Sequence, residues 1–557
     1  MYLSFSSSVD GAQSLAVNTT GATTFLGVVG GGTALTSLTT NAGGTSSSVG
    51  VSTTAATAFN DNTTLSGTYN DVGFTAAGTT TLAGATTINA GAGNATFTGS
   101  VSGAFSLAVN SNTLESFGST INVASISTDA PGSVTLGGNV TTTGNQTFLD
   151  QVSAGAIALN AGGGAISATN AANDFTGVVT LTAGTASLVD ANALAVSLNT
   201  TGATSLTAGT TLTANGTSGS LTTVSTGGGT NFGALTVNGN LNATSGGAVT
   251  QGAAMTVSGT TAINAGANLV TLTSGNDFGG AVSVTGGTTQ ITDVNALTLG
   301  SLNTGALTVI DTGALNLGTG TVNGALVATS NGGNITQSGG IIVTGTSNVA
   351  AGAGSITLAS ANDFGGAVTA GGTSGISLND VNGITPASIN AGAGAISLTA
   401  GAINAGGPLA ASSLTLGSNS SVATVTFSPT LAGKNVLLTG SSTSWTFCDV
   451  NGCGTSMTPP VFSKTSTGPV DIFFNGVNLG SSAATVSNVV GSIAGTVSQI
   501  AAQALQEALD TDSVQKQIDY GFAGDVGMTP PMDHRIDDTG ISVPECFEQS
   551  REGEPCK

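Results

Sequence analysis

The sequence predicts an all-β parallel β-helix, a β-solenoid, with a small C-terminal region that includes a helix. Three observations carry that expectation. Short marks recur along the chain, with ANDFTGVV at 172–179, GNDFGGAV at 275–282 and ANDFGGAV at 361–368. Between them, Val, Leu, Ile or Ala alternates with Thr or Ser in short runs such as SITLAS, AVSVTGG and AISLTAG. Helical spacing is absent from residues 1 to about 480, whereas period-2 alternation closed by Gly, Asn or Asp is the pattern of short half-buried strands.

The repeats set the size of the unit. The longest shared block reads AGANLVTLTSGNDFGG at 265–280 and AGAGSITLASANDFGG at 351–366, with a looser copy at 161–177. The NDF marks begin at Asn173, Asn276 and Asn362, so the intervals between them are 103 and 86. These differ by about one coil of a repeat of roughly 17 to 22 residues, and solenoids gain or lose whole units because each touches only its neighbours. Each NDF is followed, about one such coil later, by DAN or DVN, at Asp190, Asp293 and Asp380.

These marks are expected at the corners of the coil. Asn173, Asn276 and Asn362 would tolerate a left-handed corner, and Asp174, Asp277 and Asp363 would bond their own turns. Phe175, Phe278 and Phe364 would plug the interior, and the following Gly-Gly would permit the next bend. Reading the three aspartates as calcium or catalytic sites is less economical, since calcium needs several oxygen ligands together. The calcium-binding nonapeptide of other β-helices is missing from the sequence. No metal or other cofactor is expected.

Charge narrows the partners. Of 557 residues only 6 are Lys or Arg, and the first is Lys434. Residues 1–433 carry 13 carboxylates and no basic residue, and the rest carry 14 and 6, giving the net −21. Nucleic acid needs cationic contacts that displace its counterions, so it is excluded as a partner, and an anionic membrane surface is disfavoured. A hydrophobic fraction of 39% and a mean hydropathy of +0.32 are also not those of a disordered chain.

Four regions are expected: a repetitive shaft over 1–433, a β-rich end region over 434–480, a helical segment over 481–520, and an acidic, Pro/Gly-rich tail over 521–557. The helix is placed at about 484–509, where Val486, Val490, Ile493, Val497, Ile500 and Ala504 form one seam. Cysteines occur as two close pairs, Cys448 with Cys453 and Cys546 with Cys556. An even count suits disulfides in an oxidising compartment, although three connectivities remain open. A four-thiolate zinc site is the competing reading, disfavoured by the unequal gaps. The N-terminus shows no basic n-region and no long apolar run, so the chain is either cytoplasmic or part of a longer exported protein, and its composition favours export.

The degenerate Gly/Thr/Ser/Ala/Val repeats, together with the terminal Cys546 and Cys556, resemble the filamentous-haemagglutinin-like exoproteins of Gram-negative two-partner secretion systems. The likeness covers most of residues 1–430 in texture. It implies a β-helical adhesin at the cell surface or secreted, associated with the outer membrane. It also implies an outer-membrane transporter as partner, gripped through a loop closed by Cys546 and Cys556. The signal peptide and secretion domain of that group are not visible, so the sequence reads as the C-terminal part of a larger exoprotein or as a mistaken gene start.

The function expected is therefore non-enzymatic: attachment or biofilm contact with host or neighbouring-cell ligands, glycans among them. The alternative is a polysaccharide-active β-helix. Lyase chemistry is short of a cation before Lys434, whereas carboxylate-based glycoside hydrolysis survives on residue type alone. An ice- or crystal-binding face, suggested by Thr-x-Thr steps, requires a more regular lattice than these coils provide.

Overall fold

The computed structural model describes residues 2–405 and 407–418. Beyond them it describes the backbones of the strands Val422–Phe427, Asn435–Gly440, Ser444–Asp449, Val461–Lys464, Pro469–Phe474, Val477–Ala483, Asn488–Val490, His534–Ile536 and Ser542–Pro544. Every regular element among the described residues is a strand. The fold is an all-β parallel solenoid, and it divides into two compact units, residues 1–374 and 375–557.

In the first unit one ladder can be followed strand by strand. Leu3 pairs with Thr23, Ala22 with Thr45, Thr63 with Thr80 and Thr80 with Val101, all in parallel. The same ladder runs on through Ile121, Val140, Leu159, Leu181 and Leu198. From there it passes Gly216, Leu235, Met255, Asp277, Asp293, Asp311 and Ser330 to Ala350 and Gly371. Coils are unequal in length, short from Thr63 to Thr80 and longer from Ala22 to Thr45. At the usual spacing of about 4.8 Å per strand, this succession makes the first unit about 90 Å long.

Alternation explains the core. Leu194, Val196, Leu198 and Thr200 point inward from the strand Leu194–Thr200, while Asn199 faces solvent. Aromatic rings fill the first coils: Phe74 and Phe97 lie 5.3 Å apart, and Phe97 stacks on Phe117 at 5.3 Å with an interplanar angle of 5°. Farther along, hydroxyls share the interior. Thr200 and Thr204 lie 2.6 Å apart, with Ser218 of the next coil 3.0 Å from Thr200 and 3.1 Å from Thr204. Such a core is narrow and built of small residues, and each buried hydroxyl in this triangle finds a partner on an adjacent coil or across its own.

The glycines of the NDFGG marks have a role other than the bend expected of them. A Cβ on Gly280 would stand 2.6 Å from the carbonyl carbon of Gly259, one coil earlier, and a Cβ on Gly366 would stand 2.6 Å from that of Gly345. Close stacking of main chains demands glycine here, and a left-handed conformation does not: neither residue is among the glycines with positive φ.

In the second unit Ile376, Ile396, Leu414, Val436 and Phe462 form one parallel ladder. Parallel stacking thus joins strands on both sides of Lys434, where the sequence suggested a change of regime, because alternating apolar residues continue in NVLLTG and SWTFCD. Antiparallel pairing enters where Pro469–Phe474 meets Val477–Ala483 and Val461–Lys464 meets Asn488–Val490, and again between His534–Ile536 and Ser542–Pro544. The helix expected over 484–509 is accordingly corrected at Asn488–Val490, where the β-branched Val489 and Val490 extend a sheet edge. The remainder of that segment lies outside the described residues, as do Cys453, Cys546 and Cys556. Cys448 is placed only as a backbone position on the strand Ser444–Asp449.

Adding one methyl tests the close stacking. Gly280→Ala is expected to destabilise the first unit by about 1–3 kcal/mol, the cost typical of overpacking, whereas Gly155→Ala, with nothing within 4 Å, is expected to stay within about 0.5 kcal/mol. Equilibrium denaturant unfolding of the two variants measures the difference.

Candidate functional site

The recurrent NDF marks assemble a clasp between coils. Asn276 and Asn362 lie inside the strands Val270–Phe278 and Ile356–Phe364, not in left-handed corners, and Asn173 immediately precedes the strand Asp174–Phe175. All three asparagines are fully buried, while Asp174, Asp277 and Asp363 are half-buried and Phe175, Phe278 and Phe364 are buried. This corrects the expected corner role: the carboxamide points inward, where it meets backbone groups that the strand ladders leave over.

Asn276 makes the fullest set of bonds. Its Oδ1 accepts the Met255 N–H of the preceding coil at 2.9 Å, and its Nδ2 donates to Leu272 O at 3.1 Å in its own coil and to Thr292 O at 3.0 Å in the next. Asn173 repeats the pattern with Val152 N at 2.7 Å, Ala168 O at 2.9 Å and Val189 O at 3.0 Å. Asn362 accepts Ile341 N at 3.0 Å and donates to Leu358 O at 3.0 Å. A carboxamide has both an acceptor and two donors, so one side chain can join three layers.

The DxN marks complete the clasp from the following coil. Asp293 Oδ2 accepts the Phe278 N–H at 2.8 Å and Oδ1 accepts Asn295 N at 3.0 Å. Asn295 Nδ2 in turn donates to Asp277 Oδ1 at 3.0 Å. In the first copy, Asp190 accepts Phe175 N at 2.8 Å and Asn192 N at 2.6 Å, and Asn192 donates to Asp174 at 3.3 Å. The third carboxylate, Asp380, accepts Asn382 N at 2.8 Å. Burial pushes the Asp190 and Asp293 carboxyls up from the ordinary aspartate range, with the backbone N–H bonds opposing it. Asn276 and Asp293 are register partners on adjacent strands. The offset from NDF to DxN is therefore one turn of the coil, and these carboxylates are occupied with main chain.

Two residues of the clasp carry no mark in the sequence reading. Gln251 forms a reciprocal amide pair with Asn276, donating at 2.8 Å and accepting at 3.0 Å, and Gln337 does the same with Asn362 at 2.7 and 3.1 Å. Each glutamine precedes its asparagine by 25 positions, and Gln251 and Gln337 are spaced as Asn276 and Asn362 are. The recurrence of Thr-Gln at 250–251 and 336–337 was the available signal. In the first copy the equivalent position is Phe148.

A second constellation lies in the coils between residues 101 and 158. Carboxylate oxygens of Glu115, Asp129 and Asp150 lie within 4.8 Å of one another. Glu115 sits on the strand Leu114–Phe117, Asp129 just after Ser125–Thr128, and Asp150 just before Gln151–Ala154. Glu115 and Asp150 are fully buried. The Ser111 N–H is shared by Glu115 Oε1 at 3.1 Å and Asp129 Oδ1 at 3.0 Å. Glu115 Oε2 and both Asp150 oxygens have no hydrogen-bond partner. Burial, then the Asp150 and Asp129 charges, push the Glu115 carboxyl up to about 9. Burial and the Asp129 charge push Asp150 up to about 6, with the Thr128 hydroxyl a weak opposing influence short of hydrogen-bonding geometry. Burial likewise raises Asp71 to about 7, the Thr57 hydroxyl opposing it.

Two outcomes are expected. Asn276→Leu strands Met255 N, Leu272 O, Thr292 O and the Gln251 amide, at about 1–3 kcal/mol for each buried group left unpaired, so its unfolding free energy should fall by several kcal/mol. The pH dependence has a definite sign. An acid whose folded pKa is raised costs nothing below about pH 4, where folded and unfolded states are both protonated, and lowers stability as pH rises towards its folded pKa. Thermal midpoints in metal-free buffer should therefore fall between about pH 4 and 7, and Asp71→Asn should flatten that fall; an unchanged slope would show that Asp71 does not contribute to it.

Comparison with known proteins adds a repeat family. A family model described as repeats of unknown function (DUF5649) matches residues 218–285 and 304–371. The first match holds Gln251, Asn276 and Phe278, and the second holds Gln337, Asn362 and Phe364. No curated protein and no solved structure matches the chain. The two matched segments start at 218 and 304, the same interval that separates Asn276 from Asn362, so each match covers one copy of this chain's repeat of several coils, with the Gln–Asn half of its clasp.

Proposed function

We propose that the chain is a non-enzymatic, surface-exposed or secreted structural protein of the adhesin type, in which the solenoid is a shaft presenting shallow polar faces. The observation that carries this reading is the use made of the carboxylates. Asp190 and Asp293 are spent on main-chain N–H groups, and Glu115 and Asp150 are fully buried, out of reach of a saccharide. Glycoside hydrolysis requires two carboxyl groups flanking an accessible bond, so the clustered acids do not favour the hydrolase alternative.

The outer surface suits contact. Asn70, Asn89 and Asn110 stand in register on three successive coils, with Asn89 donating to Asn70 and Asn110 to Asn89, each at 2.7 Å. Rows of Thr, Ser and Asn offer many weak hydrogen bonds, and repetition turns weak contacts into avidity. The resemblance to filamentous-haemagglutinin-like exoproteins supports a Gram-negative cell-surface setting with an outer-membrane transporter as partner. Cys546 and Cys556 would close the loop that the transporter holds, and no cofactor is required.

Beads coated with the purified chain at graded densities, applied to a glycan array and to a polysaccharide panel, test the reading. Retention that rises steeply with coating density, without release of reducing ends, is the expected result. Catalytic release of reducing ends that Glu115→Gln abolishes would overturn it. For the tether, Cys546→Ser is expected to move the protein from cell-bound to released in a Gram-negative host with the cognate transporter, with thermal unfolding of the solenoid unchanged.

A further inference from the structure

We infer that Glu115, Asp129 and Asp150 form a divalent-cation site, suited to calcium, that staples three successive coils. The three residues come from consecutive turns of the ladder that passes through Val101, Ile121 and Val140. Calcium takes oxygen ligands at about 2.3–2.6 Å, so oxygens on opposite sides of one ion stand about 4.6–5.2 Å apart. One carboxylate oxygen from each of the three residues lies within 4.8 Å of the other two.

Two observations independent of the clustering point to a ligand. Both Asp150 oxygens and Glu115 Oε2 are buried and without a hydrogen-bond partner, although buried polar atoms are nearly always paired. The loop before Asp150's neighbouring strand also closes around it, since a Cβ on Gly132 would lie 2.8 Å from Asp150 Oδ1. Secondly, no Lys or Arg occurs before Lys434, so no side-chain cation of the coil region is available to these acids. Three carboxyls brought together in such a chain are neutralised by protons or by a metal ion. A proton satisfies one oxygen at a time, whereas one divalent ion engages all three groups. Asp129, the half-buried member, gives the ion its path from solvent. The site would serve the solenoid whether or not the chain is an adhesin.

Equilibrium dialysis of the full chain against 1 mM calcium chloride at pH 8 and 150 mM sodium chloride tests it, alongside thermal unfolding with calcium or with EDTA. The parent is expected to hold about one calcium more per chain than Glu115→Gln or Asp150→Asn, and calcium should raise its melting midpoint but not theirs. Asp10→Asn, an exposed carboxylate that removes the same charge, should behave as the parent. If either buried variant loses its β-sheet circular dichroism, Asp129→Asn takes its place in the comparison. Equal calcium content in the parent and the cluster variants, or a midpoint indifferent to calcium in the parent, overturns the site and leaves an acid cluster neutralised by protons alone.

Discussion

Because no lysine or arginine precedes Lys434, the first unit supplies no such side chain to pair with its own buried polar groups, and hydrogen bonds to the main chain and to other side chains take that place. Parallel strands satisfy most of the main chain through the ladders. What the ladders leave over, at the points where a coil turns, is taken up by a few buried carboxamides and carboxylates. Asn173, Asn276 and Asn362 each bond backbone on more than one layer. A net bond contributes about 1 kcal/mol, but an unmade buried one costs more, so the clasp matters chiefly through what its loss would expose.

That constraint also explains the small-residue composition. Layers about 4.8 Å apart leave no room for a side chain where main chains approach, as at Gly280 over Gly259 and Gly366 over Gly345. Larger interior residues stack in columns, such as Val237, Val257 and Phe278, or Val322, Val343 and Phe364. The two columns close on phenylalanine at equivalent positions of the repeat. Variation in coil length, as between Thr63 to Thr80 and Ala22 to Thr45, is absorbed between strands and at register shifts within them, as between Leu82 and Thr86 or Leu272 and Asn276.

Much of this was legible in the sequence and some of it was not, for physical reasons. Period-2 alternation exposed the strands, and the near-constant offset from NDF to DxN exposed the coil length, because both are local patterns. The inward role of the asparagines was not legible: Asn is common in turns, and only the fold shows that Asn276 sits inside a strand facing in. Gln251 and Gln337 were missed because a glutamine among Thr and Gly resembles any solvated strand residue, although its recurrence at the interval of the NDF marks was there to be read. The grouping of Glu115, Asp129 and Asp150 could not be read at all, since their unequal spacings in sequence become contacts only once three successive coils are stacked.

Buried side-chain clasps act on backbone the ladders leave over, and the expectation that follows is that they hold the coils as tightly as the ladders themselves. Native-state hydrogen exchange at single-amide resolution measures this directly. The Met255, Ile341 and Phe278 amides, whose acceptors are the Asn276, Asn362 and Asp293 side chains, should exchange as slowly as ladder amides in mid-strand such as Leu198 and Val309. Exchange of those three at the rate of exposed turn amides, with the mid-strand amides still protected, would show that the ladders alone hold the coils.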